Sequence, residues 1–126
     1  MEQTNRLMLR ARDAMDRSYA EPLDVAALAT LVHSSKAHFT RTFRATFGET
    51  PHRYLQRRRI ERAMFLMRTT ELDVTRICMA VGYSSLGTFS RTFREVVGQS
   101  PTAYRRDVQP LDAPGCFVMR WTRPSG

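Results

Sequence analysis

The sequence predicts an all-α fold of about seven helices, arranged as two similar lobes joined by one long helix. Three observations carry that prediction. The first is an internal repeat. Ser34, Ser35, Phe39, Arg41, Thr42, Phe43, Arg44, Gly48, Pro51 and Tyr54 return fifty residues later as Ser84, Ser85, Phe89, Arg91, Thr92, Phe93, Arg94, Gly98, Pro101 and Tyr104. Upstream, Asp24-Val25 returns as Asp73-Val74 and Val32 as Val81 at an offset of forty-nine, because Gly82-Tyr83 stands against His33 alone. Such a repeat signals one supersecondary unit used more than once, and two copies are too few for a solenoid. The second observation is apolar spacing at helical period. The third is the set of aspartates, serines and glycines that stand where helices would start and stop.

The elements follow in order. Between Gln3 and Ser18, Leu7, Ala11, Ala14, Met15 and Ser18 form one stripe among arginines and aspartates, which reads as a covering helix. Glu21-Pro22 ends it, since a residue before proline is steered out of the helical region. Asp24 and Asp73 are N-caps whose carboxylates accept from first-turn amides. Leu23 with Leu28, and Leu72 with Ile77, occupy the staple positions around those caps. The caps open short helices over about Val25 to Leu31 and Val74 to Val81. After a tight turn, Ser34-Ser35 and Ser84-Ser85 cap a longer second helix in each copy. Phe39, Phe43 and Phe47 recur every four residues and face a core. Gly48 suits a left-handed C-cap. Thr50-Pro51 and Ser100-Pro101 each supply an N-cap followed by proline at the first helical position. A short helix, a tight turn and a longer helix make the helix-turn-helix pattern.

Between the copies, Pro51 to about Arg68 forms the long helix, with Arg53, Arg57, Arg58 and Arg59 in its first half. Its second half, IERAMFLM, is apolar on several faces, as a helix between packed lobes should be. Residues 1–50 thus make the first lobe, 51–68 the linker helix, 69–106 the second lobe and 107–126 an extended C-terminal tail. In that tail Cys116 to Trp121 can form a short strand or pack on a lobe.

At 126 residues the chain holds one ordinary domain or two small lobes. Its formal charge of +8 favours a polyanionic partner, nucleic acid before an anionic membrane. Of its 20 basic residues only Lys36 is a lysine, a skew that genomic codon bias explains as well as any site does. There is no signal-peptide run and no stretch near the roughly 18 apolar residues that span a bilayer. The expectation is a soluble cytoplasmic protein without a membrane partner. His33, His38, His52, Cys78 and Cys116 have no metal-ligand spacing, so neither a metal nor another cofactor is expected. Cys78, between Ile77 and Val81, reads as a small buried hydrophobe. The methionines from Met64 to Met67 read as core filler in preference to a peptide groove. No nucleophile-base pairing or phosphate loop points to an enzyme.

The face opposite the phenylalanines follows from the 100° helical step. Measured from Phe39, Ala37, Thr40, Arg41 and Arg44 lie about 100° to 200° away, as Gly87, Ser90, Arg91 and Arg94 do from Phe89. A face of small residues, hydroxyls and arginines can enter a major groove about 12 Å wide, with arginine pairing bidentately to guanine. The bland alternative for each single arginine is a solvated helix face. The same Arg-Thr-Phe-Arg block in two turn-separated units favours double-stranded DNA. A cationic protein for membrane surfaces would concentrate its arginines on one contiguous amphipathic helix.

The second copy, from Gly82-Tyr83 through Phe89, Phe93-Arg94, Gly98, Pro101 and Tyr104-Arg105, resembles the signature of the AraC/XylS family of bacterial transcription regulators. The resemblance covers about residues 4–106, including RRIERAMFLMR. It implies a seven-helix, two-lobed DNA-binding domain that reads promoter sites and contacts RNA polymerase, mostly as an activator. It also implies base reading from the start and middle of each recognition helix, here Ala37, His38, Thr40 and Arg41, then Leu86, Gly87, Thr88, Ser90 and Arg91. Phosphate contacts are expected from Ser35, Lys36, Arg44, Arg57, Ser85 and Arg94. Some members carry large polar or aromatic side chains where this chain has Ala37, Leu86 and Gly87. Readout should therefore lean on Arg41, Arg91, thymine methyls and DNA shape.

The linker, taken as about 18 residues, is roughly 27 Å long, against about 34 Å between successive major-groove openings. Two different reading heads in one chain imply a monomer on an asymmetric site. Met1 stands a few residues before the first helix, as in the short stand-alone regulators, so the expectation is a complete protein without the family's usual ligand-sensing domain.

Overall fold

The computed structural model describes residues 2–108, and over that span it contains seven helices and no strand. They are α1 (Glu2–Arg17), α2 (Val25–Leu31), α3 (Lys36–Phe47), α4 (Pro51–Thr69), α5 (Val74–Ala80), α6 (Leu86–Val97) and α7 (Pro101–Asp107). The chain divides into two compact units, Met1–Arg59 and Ile60–Gly126, and the division falls inside α4. None of the described helices is long and apolar enough to cross a membrane.

The helix ends are set by local chemistry. Asp24 Oδ1 accepts from the Ala27 amide at 2.7 Å and Asp73 Oδ1 from the Arg76 amide at 2.8 Å. Ser35, Ser85 and Ser100 do the same for His38, Thr88 and Ala103 at 3.1, 3.2 and 3.1 Å. Each cap satisfies an amide that the first turn leaves without an intrahelical partner. Gly48 and Gly98 close α3 and α6 at φ 85° and 95°, where a side chain would be strained.

In the first unit α1 packs on α2 and α3, and α2 on α3. The core holds Met8, Ala11, Met15, Leu28, Ala29, Val32, Phe39, Phe43, Tyr54 and Leu55. On α1 the buried stripe is Met8, Ala11 and Met15, with Leu7 and Ala14 only partly covered. Leu7 and Met8 are adjacent apolar residues about 100° apart, so the docking angle of α1 selects between them. Phe47 is also only partly buried, with the Arg12 guanidinium 4.5 Å above its ring. In the second unit α6 packs on α5 and α7. Ile60, Ala63, Met67, Ile77, Cys78, Val81, Tyr83, Phe89 and Phe93 are buried there. Burial pushes the Cys78 thiol up from its ordinary range. The second half of α4 is not apolar all round. Ile60, Ala63 and Met67 point inward, while Phe65 is exposed beneath Arg62.

A clasp of α4 residues closes the first unit. The Tyr54 hydroxyl donates to Asp16 Oδ1 at 2.8 Å, and Arg58 Nε donates to the same oxygen at 3.2 Å. Arg59, 8 % exposed, donates Nε to the Tyr19 carbonyl at 2.6 Å and Nη2 to the Glu21 carbonyl at 2.9 Å. In the second unit Arg105 of α7 donates to the carbonyls of Leu72, Thr70 and Met67, and Arg68 donates to the Tyr104 hydroxyl. Helix α7 runs one residue past the expected start of the tail. The Val108 amide closes its last turn on the Tyr104 carbonyl, and Gln99 holds the Asp107 carboxylate at 3.2 Å. The remaining tail, with its expected strand near Cys116 to Trp121, lies outside the described residues.

Two outcomes test this packing. Phe43→Ala and Phe93→Ala each remove a fully buried ring and should cost about 3–5 kcal/mol. That is a large share of the roughly 5–15 kcal/mol holding a typical domain together, so both variants should show clearly lowered melting temperatures. An unchanged melting temperature with lost function would overturn the core assignment. The Tyr54 phenol, in turn, is pushed up to about 12, first by burial, then by its hydrogen bond to Asp16 and that carboxylate's charge. In the unfolded chain tyrosine ionises near pH 10. Between about pH 10 and 12 the unfolded chain thus binds fewer protons than the fold, and stability falls as pH rises; below pH 10 the contribution is fully present. The stability difference between wild type and Tyr54→Phe should therefore shrink across that range in urea unfolding.

Candidate nucleic-acid interface

Each second helix of a turn-separated pair presents one face inward and one outward. On α3 the inward face is Phe39 and Phe43, whose rings lie 5.7 Å apart, with Tyr54 5.8 Å beyond. On α6 it is Phe89 and Phe93 at 5.7 Å, with Tyr104 5.7 Å beyond and Tyr83 5.4 Å on the other side. These rings fix the rotation of each helix about its axis, and rotation decides what solvent meets. Ala37, Arg41 and Arg44 are exposed on α3, as are Gly87, Arg91 and Arg94 on α6. Thr40 and Ser90, on the shoulder of each strip, are partly covered.

The first turns are also open. Ser35, Lys36, Ser85, Leu86 and Thr88 are exposed. The Ser35 and Ser85 oxygens are occupied as caps, but each hydroxyl keeps its own proton to donate outward. His38 stands off the strip of Ala37, Arg41 and Arg44, and its ring lies 3.5 Å from the Thr42 hydroxyl. It lines an open groove between α1 and α3 with Thr4, Asn5, Leu9, Arg41, Thr42 and Phe47, so Arg41 borders both the strip and the groove. Of the residues expected to read bases, those on α3 share one side of that helix apart from His38, and those on α6 share one side apart from Thr88, the repeat equivalent of His38.

The structure sorts the arginines by what they already hold. Among the described residues, Lys36, Arg41, Arg44, Arg91 and Arg94 make no ion pair. Arg57, expected to contact phosphate, does make one. Its Nε and Nη2 donate to the two Glu49 oxygens at 3.3 and 2.7 Å, and its guanidinium lies 5.3 Å from the Tyr54 ring centre. A phosphate would have to compete with that bidentate carboxylate. The neighbouring Arg58 and Arg59 are held by Asp16 and by backbone carbonyls. The spacing of α4 carried a sign of this for Arg59. Pro51, Leu55, Arg59, Ala63 and Met67 recur every four residues, and all five are buried, so the arginine sits in an otherwise apolar row.

A rigid helix with a capped first turn, small residues near it and two uncommitted guanidiniums suits a duplex groove. The arginines can meet guanine edges bidentately or neutralise phosphates. Comparison with known proteins agrees. A family model described as a helix-turn-helix domain matches residues 28–107. The transcriptional regulator AlkR of Acinetobacter baylyi is 37% identical over 65 residues, a match that takes up 52% of this chain and 21% of AlkR. This chain therefore spans only about a fifth of that relative's length. A regulator from Chromobacterium violaceum with an AraC-type DNA-binding domain superposes with a TM-score of 0.73 at 27% identity, over 84% of this chain and 95% of that one. The DNA-binding domain of AdpA, solved in complex with a target DNA, superposes with a TM-score of 0.75 at 27% identity, over 94% and 97% of the two chains.

Proposed function

The chain belongs to the AraC/XylS family of helix-turn-helix DNA-binding transcription regulators, and from that premise we propose that it binds an asymmetric promoter site as a monomer and activates transcription. In this reading α3 and α6 enter successive major-groove segments of one duplex in the cytoplasm, and the bound protein contacts RNA polymerase. One observation carries the DNA-binding part. In each unit a buried phenylalanine pair stands behind a face that offers two arginines with no ion pair, Arg41 and Arg44 or Arg91 and Arg94. The two faces differ in sequence, which supports an asymmetric site and one copy of the chain. The activator role and the polymerase contact rest on the family resemblance.

Base reading is assigned to Ala37, Thr40 and Arg41, and to Leu86, Gly87, Thr88, Ser90 and Arg91. His38 joins them from the edge of the strip. Phosphate contacts fall to Ser35, Lys36, Arg44, Ser85 and Arg94, with Arg57 contributing only where it exchanges its Glu49 partner. The division of labour is measurable. Arg41→Ala should cost about 1–3 kcal/mol at one base pair and relax the preference there. Arg44→Ala should weaken cognate and random duplexes alike and lower the salt slope by about 0.9. Anisotropy titrations of both variants against both duplexes, at several salt concentrations, check this; equal effects of the two substitutions on both duplexes would overturn the assignment. Adding the chain to purified RNA polymerase on a template that carries the site should raise transcript yield, and a fall would overturn the activator role.

A further inference from the structure

The two reading helices diverge completely in their first turns, as they do in their last. Where α3 begins Lys36-Ala37, α6 begins Leu86-Gly87. Leu86 is 45% exposed, although its helix has a well-filled core beneath it. Gly87 is exposed beside it, and no backbone constraint requires a glycine there. A methyl group added at Gly87 would meet only Ser85 Oγ at 3.7 Å, an ordinary van der Waals distance. A glycine inside a helix gives up stability relative to alanine, and nothing within the unit accounts for it. The same helix carries Arg91 and Arg94 outward, so Leu86 and Gly87 continue a cationic face and do not form a separate apolar patch.

We propose that Leu86 and Gly87 make α6 a reader of thymine methyl groups, with the bare Gly87 backbone letting the helix start sit deep in the groove and Leu86 covering the methyls. The proposal rests on the DNA-binding reading above and adds the base class that the second unit prefers. Thymine is the only base that offers a methyl group in the major groove, and a leucine has no hydrogen bond to give. Lys36 at the matching place on α3 cannot act this way, so the preference belongs to one half of the site.

The test starts with selection of bound sequences from random duplexes by the full 126-residue chain. Thymines in each half of the selected site are then replaced by deoxyuridine, which removes only the methyl. Affinity should fall about fourfold per contacted methyl, in one half alone. Leu86→Ala should bind the thymine and deoxyuridine sites equally. Gly87→Ala should raise the melting temperature by about 2–4 °C while weakening the selected site at least about fivefold. Equal binding of both sites by the wild type would overturn the proposal, and so would a Gly87→Ala variant that binds as wild type. If no sequence is enriched over random competitor, the DNA reading itself falls, before any methyl is removed.

Discussion

The fold turns on a guanidinium placed where a helical hairpin needs donors. The turn between α1 and α2 leaves carbonyls without helical partners, and Arg59 reaches back from α4 to donate to those of Tyr19 and Glu21. A rigid, planar fork suits this, because a lysine ammonium is a point charge without that geometry. With the turn held, Asp24 lies where it can cap α2, and α2 and α3 follow through a tight turn. The second unit solves the same problem with Arg105, which donates to Leu72, Thr70 and Met67 ahead of Asp73 and α5. The two arginines are not repeat equivalents, since fifty residues before Arg105 stands Leu55. The units therefore converge on one interaction from different positions in sequence.

That convergence explains why net charge is a coarse guide to this protein. The excess of +8 suggests a polyanion partner, yet many of the arginines are engaged internally. Arg57 and Arg58 meet carboxylates, Arg59 and Arg105 meet backbone carbonyls, Arg68 meets a phenol, and Arg12 and Arg62 lie over aromatic rings. The exposed ion pairs among these contribute little to stability on their own. The buried fork of Arg59 is different, since removing it would leave the Tyr19 carbonyl without its donor at about 1–3 kcal/mol, while the Glu21 carbonyl keeps the Leu23 amide. Position separates the two uses of arginine: Arg41, Arg44, Arg91 and Arg94, opposite the phenylalanine pairs, make no ion pair among the described residues, while Arg57, Arg58, Arg59 and Arg68 of α4 and Arg105 of α7 brace the scaffold.

What could be read in the sequence was whatever is decided within a few residues. Every expected cap formed, because an N-cap hydroxyl or carboxylate needs only the amides of the next turn. The phenylalanine spacing placed α3 and α6 correctly, because a ring every turn leaves one possible inward face. Choices made by tertiary docking could not be read in the same way. Met8 was hidden behind its neighbour Leu7, and Phe65 looked as buried as Met67 although 42% of it is exposed. Arg57 looked as available as Arg44, since no local rule shows that Glu49 lies within reach of one and not the other.

The two turns show how far the copies can drift while keeping one geometry. Gly82 takes φ 103° and His33 takes φ 55° at matching places. Histidine in the left-handed region carries a strain that glycine avoids, yet the first unit tolerates it. The His33 amide donates to the Thr30 carbonyl and the Ser34 amide to the Ala29 carbonyl, so the turn is closed on both sides of the strained residue. In the second unit the extra Tyr83 is buried and its ring meets Phe89 edge-on at 5.4 Å. The longer turn thus adds an aromatic support under α6 that α3 lacks. Outward positions face no such constraint, and it is there that Lys36 stands against Leu86 and Ala37 against Gly87. A duplicated unit whose inner contacts hold each helix at a fixed rotation can vary its outer face residue by residue, which is the physical condition for one chain to carry two different reading heads.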